Sequence, residues 1–119
     1  MAKAAAVKAK YPKLPKAFKK KWLKALRSGV YKQTSGRLLD IDTDDVKRHC
    51  CLGVACKVVG YSDRKIDDEG LLMGKDYRKA PKILHGDDEI NPVVKKLTEM
   101  NDSGKYGFKR IANWIEKNL

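Results

Sequence analysis

The residues that could carry covalent chemistry lie in one apolar stretch, residues 46–60. It holds all three cysteines of the chain, Cys50, Cys51 and Cys56, and the first two directly follow two cations and a histidine: Lys47, Arg48 and His49. Cations lower the pKa of a thiol and an imidazole can deprotonate it, so this grouping resembles a cysteine nucleophile with its base. A zinc site that also uses His85 is the other reading, but the paired CxxC spacing of zinc ligands is absent.

The predicted position of the thiols indicates that they are structural. The apolar run predicts a central helix over about residues 44–59, with capping signals at both ends: Thr43, Asp44, Asp45 and Gly60. Such a helix places Cys50 and Cys51 about two turns inside, away from the N-terminal amides, and points His49 away from Cys50. We therefore predict no catalytic residues. A strand over residues 52–59 is the alternative for so short an apolar run.

The rest of the sequence contains no complete metal-binding or cofactor-binding motif. Asp40, Asp42 and Asp44 alternate in the manner of calcium ligands, but the glycine and the distal glutamate of a calcium loop are missing. No phosphate-binding glycine loop, GxSxG or HExxH motif is present. We predict no metal and no cofactor, and we expect binding rather than catalysis.

Charge is distributed very unevenly along the chain, whose net charge is +12. Residues 1–40 contain twelve Lys or Arg and one Asp, a net charge of +11, whereas residues 41–119 sum to +1. A polycationic end is typical of a protein that binds a polyanion. We predict a flexible basic arm over residues 1–16 and a single compact domain over residues 17–119.

The predicted nucleic-acid-binding residues lie in this arm and in the first helix, expected from Lys16 to Ser28 with Phe18, Trp22, Ala25 and Leu26 buried. Lysines attract phosphates, and a free Tyr11 ring could stack on a base. Lysine outnumbers arginine, which favours backbone attraction over base reading. The predicted set is Lys3, Lys8, Lys10, Tyr11, Lys13, Lys16, Lys19, Lys20, Lys24 and Arg27.

The remaining segments predict a small α+β domain that is mainly helical. Residues 30–39 predict a short β-hairpin with a turn at residues 34–36, and residues 61–90 predict loop with at most two short strands. Two further helices are expected over residues 92–100, capped by Asn91, and over residues 107–119, with a break at residues 101–104. The predicted domain therefore has about four helices, packed around the buried central one, and a short β-hairpin or small sheet. Gly53 inside the central helix indicates a close approach by another element.

The sequence also bears on the compartment. No window approaches the ~18 consecutive apolar residues of a membrane span, and the N-terminus lacks the apolar block of a secretory signal. An odd number of clustered cysteines fits a reducing environment. We expect a soluble, intracellular protein without membrane contact.

Three sequence blocks resemble a group of small proteins encoded by tailed bacteriophages and prophages. The blocks are W-x-x-A-L-R-S-G-x-Y-x-Q (residues 22–33), C-C-L-G-V-x-C (residues 50–56) and L-T-x-M-N-D-S-G-x-x-x-F-x-x-I-A-x-x-I (residues 97–115). They occur in the same order as in that group and cover most of residues 20–119. The resemblance implies the cytoplasm of an infected bacterium as the setting and implies no particular activity. The lysine-rich arm lies outside it.

Three functions are compatible with these patterns. The first is a non-catalytic phage accessory protein that binds DNA or RNA through its basic arm and first helix. The second is a protein-binding effector that inhibits a host enzyme or defence system. The third is a cysteine-dependent enzyme.

Overall fold

The computed structural model describes residues 11–69, 80–86 and 89–119. These residues form five α-helices, which are α1 Lys16–Arg27, α2 Cys51–Val58, α3 Asp63–Glu69, α4 Pro92–Asp102 and α5 Phe108–Asn118, and a short 3₁₀ helix, Lys82–Leu84. Three short strands, β1 Lys32–Gln33, β2 Leu39–Ile41 and β3 Lys47–His49, make one small sheet. The domain is α+β and mainly helical, as predicted. Residues 1–10 of the predicted arm and the apolar residues 71–73 lie outside the described residues.

The first helix forms where the sequence predicts it, because its apolar residues recur at helical spacing. Trp22, Leu23 and Leu26 are buried on one side of α1, which packs against α5 and α2. Phe18 and Ala25, which were predicted to be buried, are half-buried. The helix ends at Arg27, and Gly29 adopts a φ of 79° that favours glycine. The indole N–H of Trp22 donates a hydrogen bond to the carbonyl of Cys51 at 3.0 Å, which ties α1 to the start of α2.

The predicted hairpin over residues 30–39 is wrong, although a small sheet is present. β1 and β2 do not pair with each other, because β3 lies between them. β3 runs parallel to β1, with Gln33 opposite His49, and antiparallel to β2, with Leu39 also opposite His49. β3, a strand from later in the chain, therefore pairs with both β1 and β2 and replaces the local hairpin that the sequence predicted.

The predicted start of the central helix near Thr43 is also wrong. The Asp42 carboxylate accepts hydrogen bonds from the amides of Asp44 and Val46, both at 2.9 Å, so the acidic segment forms a turn. The chain then enters β3, and α2 begins only at Cys51, capped by Cys50. The predicted helical end and the inference about Gly53 are confirmed. A Cβ on Gly53 would lie 2.0 Å from the carbonyl oxygen of Leu38.

The later helices differ in how well the sequence predicted them. α4 and α5 are confirmed: Asn91 caps α4 by accepting from the amides of Val93 and Val94, and α5 buries Ile111, Ala112 and Ile115. The predicted break is present but begins two residues later, because α4 continues to Asp102 and the turn starts at Ser103. The charged residues 63–69, which lie in the stretch predicted as loop, form α3 instead. None of the helices in the described parts of the chain is long and apolar enough to cross a bilayer.

Candidate nucleic-acid interface

The lysine face is the exposed side of α1, opposite its buried stripe. It consists of Lys16, Lys20, Lys21 and Lys24, all of which are exposed. The twelve residues of the helix include no acidic residue. Within residues 11–69, 80–86 and 89–119, none of these four ammonium groups makes a hydrogen bond or an ion pair. The face is therefore a row of positive charge whose lysines have no counter-charge from the described chain.

Two other cations of the predicted set are engaged by α5. Lys19 donates a hydrogen bond to the backbone carbonyl of Glu116 at 3.0 Å. Arg27 donates to the side-chain oxygen of Asn113 at 2.9 Å and to the Glu116 carboxylate at 2.6 Å. The hydrogen bond from Arg27 lowers the pKa of Glu116. Lys19 and Arg27 thus fasten α1 to α5, whereas Lys16, Lys20 and Lys24 do not.

The segment before α1 is packed on the domain from Tyr11 onward. Tyr11 is only 9% exposed, and its ring lies 5.2 Å from the ring of Trp114. The amide of the buried Leu14 donates to the carbonyl of Leu119 at 2.9 Å. The expectation of a free Tyr11 ring is therefore wrong. Lys13 is exposed, while Lys3, Lys8 and Lys10 lie outside the described residues.

The thiols are closed to solvent. Cys50, Cys51 and Cys56 are buried, and burial raises the pKa of Cys50 to about 11, that of Cys56 to about 12 and that of Cys51 well above its ordinary value. The predicted position of Cys50 and Cys51, two turns inside a helix, is wrong, because both lie at the N-terminus of α2. Burial nevertheless keeps these thiols protonated, and a protonated thiol is a poor nucleophile.

His49 belongs to an ionic cluster around Asp63 that the sequence did not reveal. The Asp63 carboxylate accepts hydrogen bonds from Lys47 at 3.0 Å and His49 at 3.3 Å, and it pairs with Lys57 at 3.1 Å. Burial acts to raise the pKa of Asp63, but the hydrogen bonds from its three partners outweigh burial and lower the pKa to about 2. Burial lowers the pKa of His49, and Asp63 partly opposes this.

The geometry of this cluster does not supply a base for a cysteine. The Asp63 carboxylate can only accept, so His49 donates to it through Nε2. His49 Nδ1 is buried and has no hydrogen-bond partner among the described residues, so none of the three thiols donates to it. The other imidazole, His85, lies against the carbonyl of Ala80 at 2.7 Å. In the described segments, no group of three or more His, Cys, Asp or Glu side chains is placed to hold a metal ion.

A buried amide, Asn101, joins the three sequence blocks. Its side-chain oxygen accepts from Gln33 Nε2 and from the amide of Cys51, each at 3.1 Å. Its nitrogen donates to the carbonyl of Thr34 at 2.7 Å and to the Asp102 carboxylate at 3.1 Å. We call these five residues the Asn101 cluster. Sequence reasoning placed Asn101 in a turn. The available signal was its position four residues after Leu97, on the apolar side of α4.

A groove runs between α4 and α5, and Tyr11 also lines it. Its volume is about 420 Å³. We call it the α4–α5 groove, and its walls include Tyr11, Trp114, Lys95, Lys96, Glu99 and Asn118. Sequence analysis did not connect these residues, because they come from three separate segments and Trp114 lies beside the buried stripe of α5 rather than in it.

A family model described as a domain of unknown function (DUF8296) matches residues 14–94, which are 81 of the 119 residues. The chain belongs to the DUF8296 family. No curated protein and no solved structure matches the chain. The DUF8296 match includes the lysine face and α2, and it ends within α4 before Asn101.

Proposed function

We propose that this protein is a non-catalytic bacteriophage accessory protein that binds the phosphate backbone of nucleic acid, in the cytoplasm of the infected host. The lysine face and the basic residues before it make the contact. The observation that carries the proposal is the row of four exposed lysines on α1, for which no described residue supplies an anionic partner. The compact domain holds this row in place.

The spacing of the lysines suits a polyanion. Lys16, Lys20 and Lys24 follow one another by about one helical turn, or ~6 Å. Duplex DNA carries one negative charge about every 1.7 Å of its axis, so several of these groups can reach phosphates at once. Lysine is a flexible point charge without the bidentate geometry that reads bases, which favours contact independent of sequence.

The energetics of α1 also support a ligand with negative charge. Like charges four residues apart destabilise a helix by roughly 0.2–0.5 kcal/mol per pair, and the lysine face contains two such pairs in sequence. The buried Trp22 and Leu26 on the opposite side supply the packing that keeps the helix formed. A bound phosphate backbone would replace this repulsion by attraction and release condensed counterions.

The experiment is a titration of the full chain with random-sequence duplex DNA at several salt concentrations, followed by fluorescence anisotropy. Four phosphate contacts give a slope of log affinity against log salt of about −3.6, and more contacts give a steeper one. Two unrelated duplex sequences should bind equally well. Absent binding, or binding that salt does not weaken, would overturn the proposal and favour the protein-binding effector.

A truncation measures the contribution of the arm in the same assay. Deletion of residues 2–10 removes Lys3, Lys8 and Lys10, and we expect weaker binding without loss of the folded domain. Deletion through residue 16 is the contrasting variant. It also removes the buried Tyr11 and Leu14, so it should lower the thermal midpoint by more than the shorter deletion does.

A further inference from the structure

The α4–α5 groove is not used by the proposed function, yet its walls have the chemistry of a ligand site. Its volume of about 420 Å³ falls within the range of small-molecule sites. Two aromatic rings and two lysines line it, and an aromatic ring with nearby cations is the combination that binds single-stranded nucleic acid. We propose that the groove binds one nucleotide of a single strand, with the base against Trp114 and the phosphate beside Lys95 and Lys96. The inference rests on the proposed function.

The aromatic wall is suited to stacking. The planes of Tyr11 and Trp114 are inclined at 67°, so the two rings do not stack on each other. Trp114 is only partly buried and lines the groove. The other tryptophan, Trp22, is fully buried, and its indole N–H is bonded to the carbonyl of Cys51. A base that enters the groove would therefore contact Trp114 and leave Trp22 untouched.

The charged side chains of the wall form no ion pair with one another. Lys95 and Glu99 are one helical turn apart on α4, but neither their side chains nor that of Lys96 makes an ion pair or a hydrogen bond with another described residue. The two ammonium groups are thus available to a phosphate. The Glu99 carboxylate can accept hydrogen bonds from the exocyclic amino group of a base. Asn118 is held at the wall by donating to the carbonyl of Trp114 at 2.9 Å.

The groove and the lysine face are connected by a short stretch of surface. The chain leads from Lys16 past the exposed Lys13 to Tyr11. On this path it crosses the end of α5, where the amide of Leu14 donates a hydrogen bond to the carbonyl of Leu119. Five residues span at most about 17 Å. A flexible strand can follow this path with its backbone on the lysines and place one base in the groove. A duplex cannot, because its bases remain paired and stacked.

The test uses tryptophan emission of the full chain during titration with a single strand of about ten nucleotides, a length typical of single-strand sites. We expect saturable quenching that persists in Trp22→Phe and disappears in Trp114→Phe. Lys95→Gln with Lys96→Gln should weaken single-strand binding about tenfold while changing duplex binding much less. The control removes two exposed lysines elsewhere, Lys82→Gln with Lys105→Gln.

The outcomes separate this inference from the proposed function. If single strands and duplex bind by anisotropy but Trp114 emission does not change, the groove inference is wrong and the proposed function stands. If neither binds, both are wrong. Adenosine monophosphate is the third ligand in the titration. If it saturates the groove with the same affinity as the full strand, the groove binds a free nucleotide, and the assignment to a single strand is overturned. Circular dichroism of each variant verifies that it is folded.

Discussion

The lysine face of α1 and the Asn101 cluster at the end of α4 place polar groups in opposite situations. On α1, four ammonium groups point into solvent and have no partner in the described chain. On α4, the single buried amide of Asn101 makes four hydrogen bonds to four different residues. Polar groups that already satisfy one another hold the fold together, whereas those left unsatisfied by the chain are available to a ligand. The two regions should therefore respond oppositely to mutation.

Removal of the Asn101 side chain should have the largest effect on stability. Asn101→Ala leaves the amide of Cys51 and the carbonyl of Thr34 without the Asn101 side chain. It also removes one of the two hydrogen bonds that Gln33 Nε2 donates, the other going to the carbonyl of Tyr106. Each buried group that loses its hydrogen bond costs about 1–3 kcal/mol, so we expect a loss of roughly 3 kcal/mol or more in the free energy of unfolding. Urea denaturation measures it. Asn113→Ala, which removes one exposed hydrogen bond from the same residue type, is the control and should cost less than about 1 kcal/mol. A loss of similar size in both variants would contradict the contrast.

The Asp63 cluster should have the next largest effect, and that effect depends on pH. The folded-state pKa of Asp63 is about 2, below the ordinary value of 3.8. A lowered carboxyl pKa stabilises the fold above the unfolded pKa, and the contribution is lost as pH falls from about 4 toward 2. The difference corresponds to about 2 kcal/mol as an order of magnitude.

Asp63→Asn tests this assignment. The variant should be less stable than the natural chain at neutral pH, and the two should converge near pH 2. The measurement is thermal or urea unfolding across that range, with the exposed Asp44→Asn as control. A stability difference between Asp63→Asn and the natural chain that stays constant with pH would show that the carboxylate charge is not what stabilises the cluster.

The rate at which the three thiols are alkylated measures whether the core around the Asn101 cluster stays inaccessible to solvent. At neutral pH we expect no alkylation of Cys50, Cys51 or Cys56 in the native protein and full alkylation after denaturation, because burial raises their pKa values and blocks access. In Asn101→Ala, Cys51 should become the most reactive, since its amide loses the bond to Asn101. Labelled peptides identified by mass spectrometry would decide this. Rapid labelling of Cys50 in the native chain would return the cysteine-dependent enzyme to consideration.

The helices that were predicted best are those whose own residues contain the signals for a helix. α1, α4 and α5 have apolar residues at helical spacing, and a local signal such as Asn91 or Gly29 marks a boundary. The lysine face followed directly from α1, because the residues opposite a buried stripe must face solvent. The sequence could not show that α5 engages Lys19 and Arg27 while leaving their neighbours unpaired.

The errors lie where a distant segment decides the structure. Thr43, Asp44 and Asp45 look like a helix start because turn and cap use the same residue types. Only the pairing of β3 with β1 and β2 determines that a strand follows. The α3 helix was missed because a highly charged segment with one buried apolar residue in its described part, Ile66, shows little periodicity. The groove likewise depends on three segments that meet only in the folded chain.

Neutralising the lysine face should have the smallest effect on stability and a large effect on binding. The variant is Lys16→Gln, Lys20→Gln and Lys24→Gln together. We expect its free energy of unfolding to stay within about 1 kcal/mol of the natural value, because two repulsive pairs disappear and glutamine retains helix propensity. The matched control removes three exposed lysines elsewhere: Lys32→Gln, Lys82→Gln and Lys105→Gln.

The salt dependence of duplex binding in these two variants shows whether phosphates bind at the lysine face. Both lose the same net charge, so any difference between them reports where the phosphates lie. We expect the slope of log affinity against log salt to become shallower by about 2.7 in the lysine-face variant and to change hardly at all in the control. Equal slopes in the two variants would contradict it, because binding would then follow total charge and not the exposed side of α1.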